Sequence, residues 1–109
     1  MKTLKLHESG RRIVTSDGER FYFIGDTAWE LFHALSRDEA VKYLTVRKSQ
    51  GFNMIQAVVL AELDGLATPN YYGRCPLKQN ADGNYDPTLP DLDGEYSYFD
   101  HCEYIISLA

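Results

Sequence analysis

The sequence predicts an α/β protein built on parallel strands, and three observations carry that expectation. Two apolar runs, "FYFI" (residues 21–24) and "FNMIQAVVLA" (52–61), lack the alternation of a half-solvated strand. Runs of that kind suit strands covered on both faces. Between them lie two helix-start signals and a crossover long enough for a right-handed βαβ unit. A further helical stretch, about Tyr96 to Ala109, closes the chain. Two parallel strands cannot by themselves make a covered sheet, since strand edges and apolar helix faces stay open. The chain therefore reads as the first part of a larger α/β architecture.

Taken in order, residues 4–24 form a small β-meander. Leu4 and Leu6 alternate with Lys5 and His7, "ESG" turns, "RRIVT" is a short strand, and "SDGE" turns again into "RFYFI". Asp17-Gly18 between apolar stretches is a strong hairpin signal. Two capping boxes follow, "TAWE" (Thr27 to Glu30) and "SRDE" (Ser36 to Glu39), in which a hydroxyl and a Glu satisfy each other's free amides. The second opens a helix to about Gln50, with Ala40, Val41 and Leu44 as its apolar side and Gly51 as its stop. After "FNMIQAVVLA" comes a long excursion, residues 62–94, that holds all four prolines and many Asn, Asp and Gly. Loops of this length inside a domain are uncommon and generally functional. Its anchors, including Tyr71, Tyr72 and Leu77, argue for a packed excursion. In the last helix Phe99, Cys102, Ile106 and Ala109 share one face.

Composition narrows the function. The chain has 109 residues and a formal net charge of -5, so it is at most one domain and lacks the basic stripe that nucleic acid requires. Arg11-Arg12 and Arg47-Lys48 are only pairs. No apolar run approaches the roughly 20 residues of a membrane span, and the first residues show no apolar leader core. As written the chain is expected to be soluble and cytoplasmic. Cys75 and Cys102 have no CxxC spacing, so no metal and no cofactor is expected. Aromatic residues are abundant at 13%, with Tyr71, Tyr72, Tyr85, Tyr96 and Tyr98 in the second half. Such rings pack cores, and they also bind sugars or proteins.

Candidate site residues follow from position. In α/β folds reactive groups lie at the C-terminal ends of strands, which points to Gly25-Asp26, to Gln56 and to Glu62-Asp64. On "TAWELFHAL", Ala28, Leu31, Phe32 and Leu35 form the core stripe and leave Trp29 off it, free to face a cleft. Asp26 either serves the helix N-terminus or faces a ligand. With Thr27 and Glu30 assigned to the capping box, the ligand-facing role gains. Gln56 is polar within an apolar strand and needs a partner if buried. Asp26 and Glu62, after neighbouring strands, would suit the carboxylate pair of a glycosidase. Glu62 and Asp64 also read as ordinary loop carboxylates.

The segments "GDTAWELFHAL", "SRDEA", "GFNMIQAVVLAELDGL" and "TPNYYG", with "SGRRIVTSDGERFYFIGDTAW" before them, resemble the start of the apiosidase-like family of (β/α)8-barrel glycoside hydrolases. The likeness spans nearly the whole chain. It implies an incomplete TIM barrel over residues 1–109, with an N-terminal hairpin at 1–20 and the first two βα units at 21–109. It further implies action on pectic or related plant polysaccharide side chains, apiose linkages among them. In that reading Asp26, Trp29, Gln56, Glu62 and Tyr72 bind an oligo- or polysaccharide, while the catalytic carboxylates fall beyond residue 109. Rival expectations are a non-catalytic carbohydrate- or partner-binding module and a partial barrel that self-associates through open strand edges.

Overall fold

The computed structural model describes residues 2–109. In chain order its elements are β1 (Leu4–Leu6), β2 (Ile13–Thr15), β3 (Gly25–Ala28), α1 (Leu31–Ala34), α2 (Arg37–Ser49), β4 (Met54–Ala57), β5 (Leu77–Gln79), β6 (Tyr85–Pro90) and α3 (Tyr98–Leu108). They make a mixed α/β fold of three two-stranded sheets. β1–β2 and β5–β6 are antiparallel, and β3–β4 is parallel with α1 and α2 as its crossover.

The N-terminal hairpin forms, but its third strand shrinks to one bridge between Val14 and Arg20. "FYFI" is not a covered strand. Tyr22, Phe23 and Ile24 are 63%, 54% and 52% exposed, and regular pairing begins only at Gly25, opposite Met54. The Asn53 side chain stands in for the missing ladder. It accepts the Ile24 N–H at 2.8 Å and donates to the Tyr22 carbonyl at 2.6 Å.

The first expected capping box is absent. Thr27 pairs with Gln56 in the parallel ladder, so its backbone stays extended where a helix cap was expected. α1 is a single turn whose N-cap residue, Glu30, makes no side-chain cap bond. The second box is present: Ser36 Oγ accepts the Glu39 N–H at 3.2 Å, and Glu39 accepts the Ser36 N–H at 2.8 Å. α2 ends in a Schellman motif, with Gly51 N–H on the Lys48 carbonyl and Phe52 N–H on that of Arg47. Gly51 sits at φ +90°, the left-handed region where a Cβ is disfavoured. Along α2 Ala40 is buried, whereas Val41, expected beside it, is exposed.

The excursion contains a hairpin the sequence pattern did not announce, β5–β6. One turn is drawn twice along it. Asn70 Oδ1 accepts the N–H groups of Tyr72 and Arg74, each at 3.0 Å. Asn80 Oδ1 does the same for Asp82 and Asn84. α3 opens on a capping box between Ser97 and Asp100. Its buried stripe is Tyr98, His101, Cys102 and Ile105, and Ile106 is exposed. The expected face was turned because His101, a polar residue, belongs to the core stripe.

Leu31, Phe32, Ala40, Tyr98, Cys102 and Ile105 form the core, with Ala28, Ile55 and Ala57 packed against it from the strands. The helices thus cover one face of β3–β4. The other face, carrying Gly25, Thr27, Met54 and Gln56, is exposed.

Candidate functional site

The C-terminal ends of β3 and β4 lie side by side because the two strands are parallel and in register, Thr27 opposite Gln56 and Ala28 opposite Ala57. Side chains on neighbouring parallel strands at paired positions point the same way. Thr27 and Gln56 therefore stand together on the exposed face as two adjacent groups able to donate and accept hydrogen bonds. The sequence pattern singled out Gln56 but assigned Thr27 to a helix cap, because the strand register that sets its facing is not local. Trp29, one residue beyond β3, is 50% exposed. Glu62 lies in an exposed turn after β4, where Leu63 and Asp64 adopt φ of 55° and 68°.

Asp26 is placed elsewhere. By alternation it faces α2, not the open side, and its carboxylate accepts from the Tyr43 hydroxyl at 2.7 Å and from Arg47 Nε. These two donors, Tyr43 foremost, hold its pKa below the ordinary carboxylate value of 3.8. The Arg47 guanidinium lies 5.1 Å from the Tyr43 ring centroid. Tyr43 and Arg47, four residues apart on one face of α2, are site-forming residues that the sequence reading passed over. A cavity of about 260 Å³ opens beside them, lined by Asp26, Thr27, Glu30, Leu35, Tyr43 and Arg47 among others. A larger one of about 480 Å³, bordered by Val41, Lys48, Phe52, Met54 and Leu108, sits at the opposite end of the strands. It is remote from the strand ends where α/β folds place their chemistry.

Glu30, assigned to a cap by its spacing, instead meets His33 Nδ1 at 2.9 Å. His33 Nε2 donates to the Thr68 carbonyl at 2.8 Å, and the His33 carbonyl accepts the Tyr71 N–H at 3.0 Å. His33, given no role from sequence, thereby ties the excursion to the β3 end. Tyr72 is committed to the helices: its hydroxyl accepts the Arg37 backbone N–H at 2.9 Å, and its ring packs on Tyr96 and His101. The structure thus brings Thr27 and Gln56 together at the strand end with Trp29, and turns Asp26 and Tyr72 toward the helical layer. Among the described residues, no three His, Cys, Asp or Glu side chains cluster as a metal would require. Burial pushes the Cys102 thiol up to about 11, which leaves it protonated and inert.

Comparison with known proteins adds the following. The family model for "Apiosidase-like, catalytic domain" matches residues 7–109. A crystal structure of a family 5 glycoside hydrolase from Bacteroides vulgatus superposes with a TM-score of 0.71 and 33% identity, over 96% of this chain and 21% of that one. A second solved structure, a glycoside hydrolase, gives 0.72 and 34%, over 99% of this chain and 23% of its own. The chain thus spans less than a quarter of the length of either structure. None of the curated proteins compared matches.

Proposed function

Because this chain belongs to the apiosidase-like catalytic-domain family, we propose that it supplies the sugar-binding start of a glycoside hydrolase barrel. Residues 1–20 are the N-terminal hairpin of that barrel and 21–109 its first two βα units. The substrate class is a plant cell-wall polysaccharide side chain of pectic type, with apiose linkages as the leading candidate. The observation that carries the reading is the pairing of Thr27 with Gln56 on the exposed face, beside a half-exposed Trp29. Adjacent polar groups at parallel strand ends bind hydroxyls, and an indole offers a flat apolar surface to a sugar ring.

Hydrolysis needs two carboxylates, one to protonate the leaving oxygen and one to act as nucleophile or base. Asp26 already receives Tyr43 and Arg47, which favours its ionised form and suits neither a proton donor nor a free nucleophile. In this reading it holds the β3 end against α2 so that Thr27 and Trp29 keep their places. Glu62 borders the sugar from the exposed turn. Tyr72 supports the excursion, and its exposed neighbour Tyr71 offers the aromatic wall. The acid and nucleophile belong to strands other than β3 and β4. The chain on its own is accordingly expected to bind without cutting.

Trp29 is the only tryptophan, so its fluorescence reports directly on this end. Titration with pectic side-chain oligosaccharides should give a saturable change, weakened at least tenfold in Gln56→Ala, with no sugar released. A flat titration would sink the binding reading, and sugar release lost on Glu62→Gln would overturn the division of labour. The exposed row Tyr22, Phe23 and Ile24 favours a second reading, in which a further polypeptide covers this face. Sedimentation that finds a discrete oligomer would support self-association as that cover, and a monomer at all concentrations would exclude it.

A further inference from the structure

A second cluster, apart from the strand end, lies where the α1–α2 junction, the excursion and α3 meet. His101 on α3 is fully buried. Its Nε2 faces the Leu35 carbonyl at 2.9 Å. A carbonyl only accepts, so Nε2 carries the proton and Nδ1 presents its lone pair. Nδ1 then accepts from the Tyr96 hydroxyl at 2.8 Å, and the Tyr96 oxygen accepts from Arg37 Nε at 3.0 Å. The Arg37 guanidinium stacks 4.1 Å from the Tyr96 ring centroid and 4.9 Å from that of Tyr104. Tyr72 closes the cluster from the excursion, its ring centroid 5.0 Å from that of His101.

The titratable and charged groups around His101 come from each element packed there. α2 contributes Arg37, the segment before α3 contributes Tyr96, the excursion contributes Tyr72, and α3 itself carries Asp100 and Tyr104. The Asp100 carboxylate is turned to the Ser97 N–H and hydroxyl. Among the described residues no carboxylate bonds to His101. A second proton on the ring thus has no counter-charge. It also strips the Tyr96 O–H of its acceptor and sets two cations against one phenol oxygen.

We propose that His101 is the pivot of an acid-sensitive latch, in which protonation at Nδ1 frees Tyr72, and with it the excursion from Ala61 to Pro76, from the α1–α2 junction. Burial is the main cause that lowers the His101 pKa below 6.5; Arg37 lowers it further, and the Leu35 carbonyl opposes both. The sign follows from linkage. A base whose pKa is lower in the closed state binds its proton more tightly once open, so closure is complete above about 6.5 and is lost as pH falls below it.

Amide exchange followed by NMR tests the latch on the chain as it stands. Protection at Arg37, whose N–H is held by Tyr72, and at Tyr71 should fall by up to tenfold per pH unit below about 6.5, the limit for one proton. Leu44 in α2 and Ile55 in β4 should keep theirs. His101→Gln should make the Arg37 profile flat in pH. Should that variant not fold, Arg37→Gln decides: removing the neighbouring cation raises the closed-state pKa toward 6.5, so protection at low pH should fall less than in the parent. Protection at Arg37 that ignores pH overturns the latch. So does a loss shared equally by Leu44 and Ile55, or a loss as deep in Arg37→Gln as in the parent.

Discussion

Asp26 shows how far a single residue's place in the fold decides its use. One peptide unit from the exposed Thr27, it points to the opposite side of β3 and meets Tyr43 and Arg47. Its lowered pKa means that it favours the folded state above the ordinary value of 3.8. That contribution is lost as pH falls through the folded-state value. Asp26→Asn is therefore expected to melt below the parent at pH 7, with the gap closing toward pH 3; a gap unchanged by pH would show that the carboxylate's charge is not what matters. Gln56 was legible as an anomaly, a polar group in an apolar strand. Its neighbour Thr27 was not, because a threonine in a strand carries no signal until the register is known.

Among the elements, α2 was the most legible because its boundaries are local chemistry. Ser36 and Glu39 close the first turn and Gly51 the last, both within four residues of chain. Ser36→Ala should cost about 1 kcal/mol, read as a lower urea midpoint at unchanged slope; a change below ~0.3 kcal/mol would show that the box is idle. The same pattern at Thr27 to Glu30 failed for a non-local reason. The parallel ladder with β4, some thirty residues away, holds Thr27 extended. A capping box is only as good as the backbone that reaches it. The β5–β6 hairpin was missed although "NADG" contains the Asp-Gly signal that revealed the first hairpin, because β5 is only three residues long and β6 carries Pro87 and Pro90, which argue against a strand. On α3, counting only apolar residues turned the stripe away from His101.

For the whole molecule, the core is where α1, α2 and α3 meet on one side of β3–β4. Tyr98 links its layers: fully buried, it donates its hydroxyl to the Val59 carbonyl at 2.6 Å beyond the end of β4. Burial raises its pKa well above 10, so it stays a donor. Tyr98→Phe should destabilise the fold by about 1–2 kcal/mol, as a lost bond that leaves a carbonyl unpaired. Chemical denaturation checks this, and a neutral result would mean that water replaces the phenol. The opposite face of β3–β4 has no such cover, which agrees with a chain matching less than a quarter of the solved glycoside hydrolases.

By itself the sequence determined the βαβ order, the α2 boundaries, the N-terminal hairpin and the family, since each rests on residues close along the chain or on runs of them. Tertiary structure alone decided which side of a strand each candidate faces and which polar groups are already satisfied. It gave Asp26 to Arg47 and Tyr72 to Arg37, and left Thr27, Gln56 and Trp29 open. The reason is that a hydrogen bond between residues 20 to 60 positions apart depends on register and packing. No local pattern encodes either.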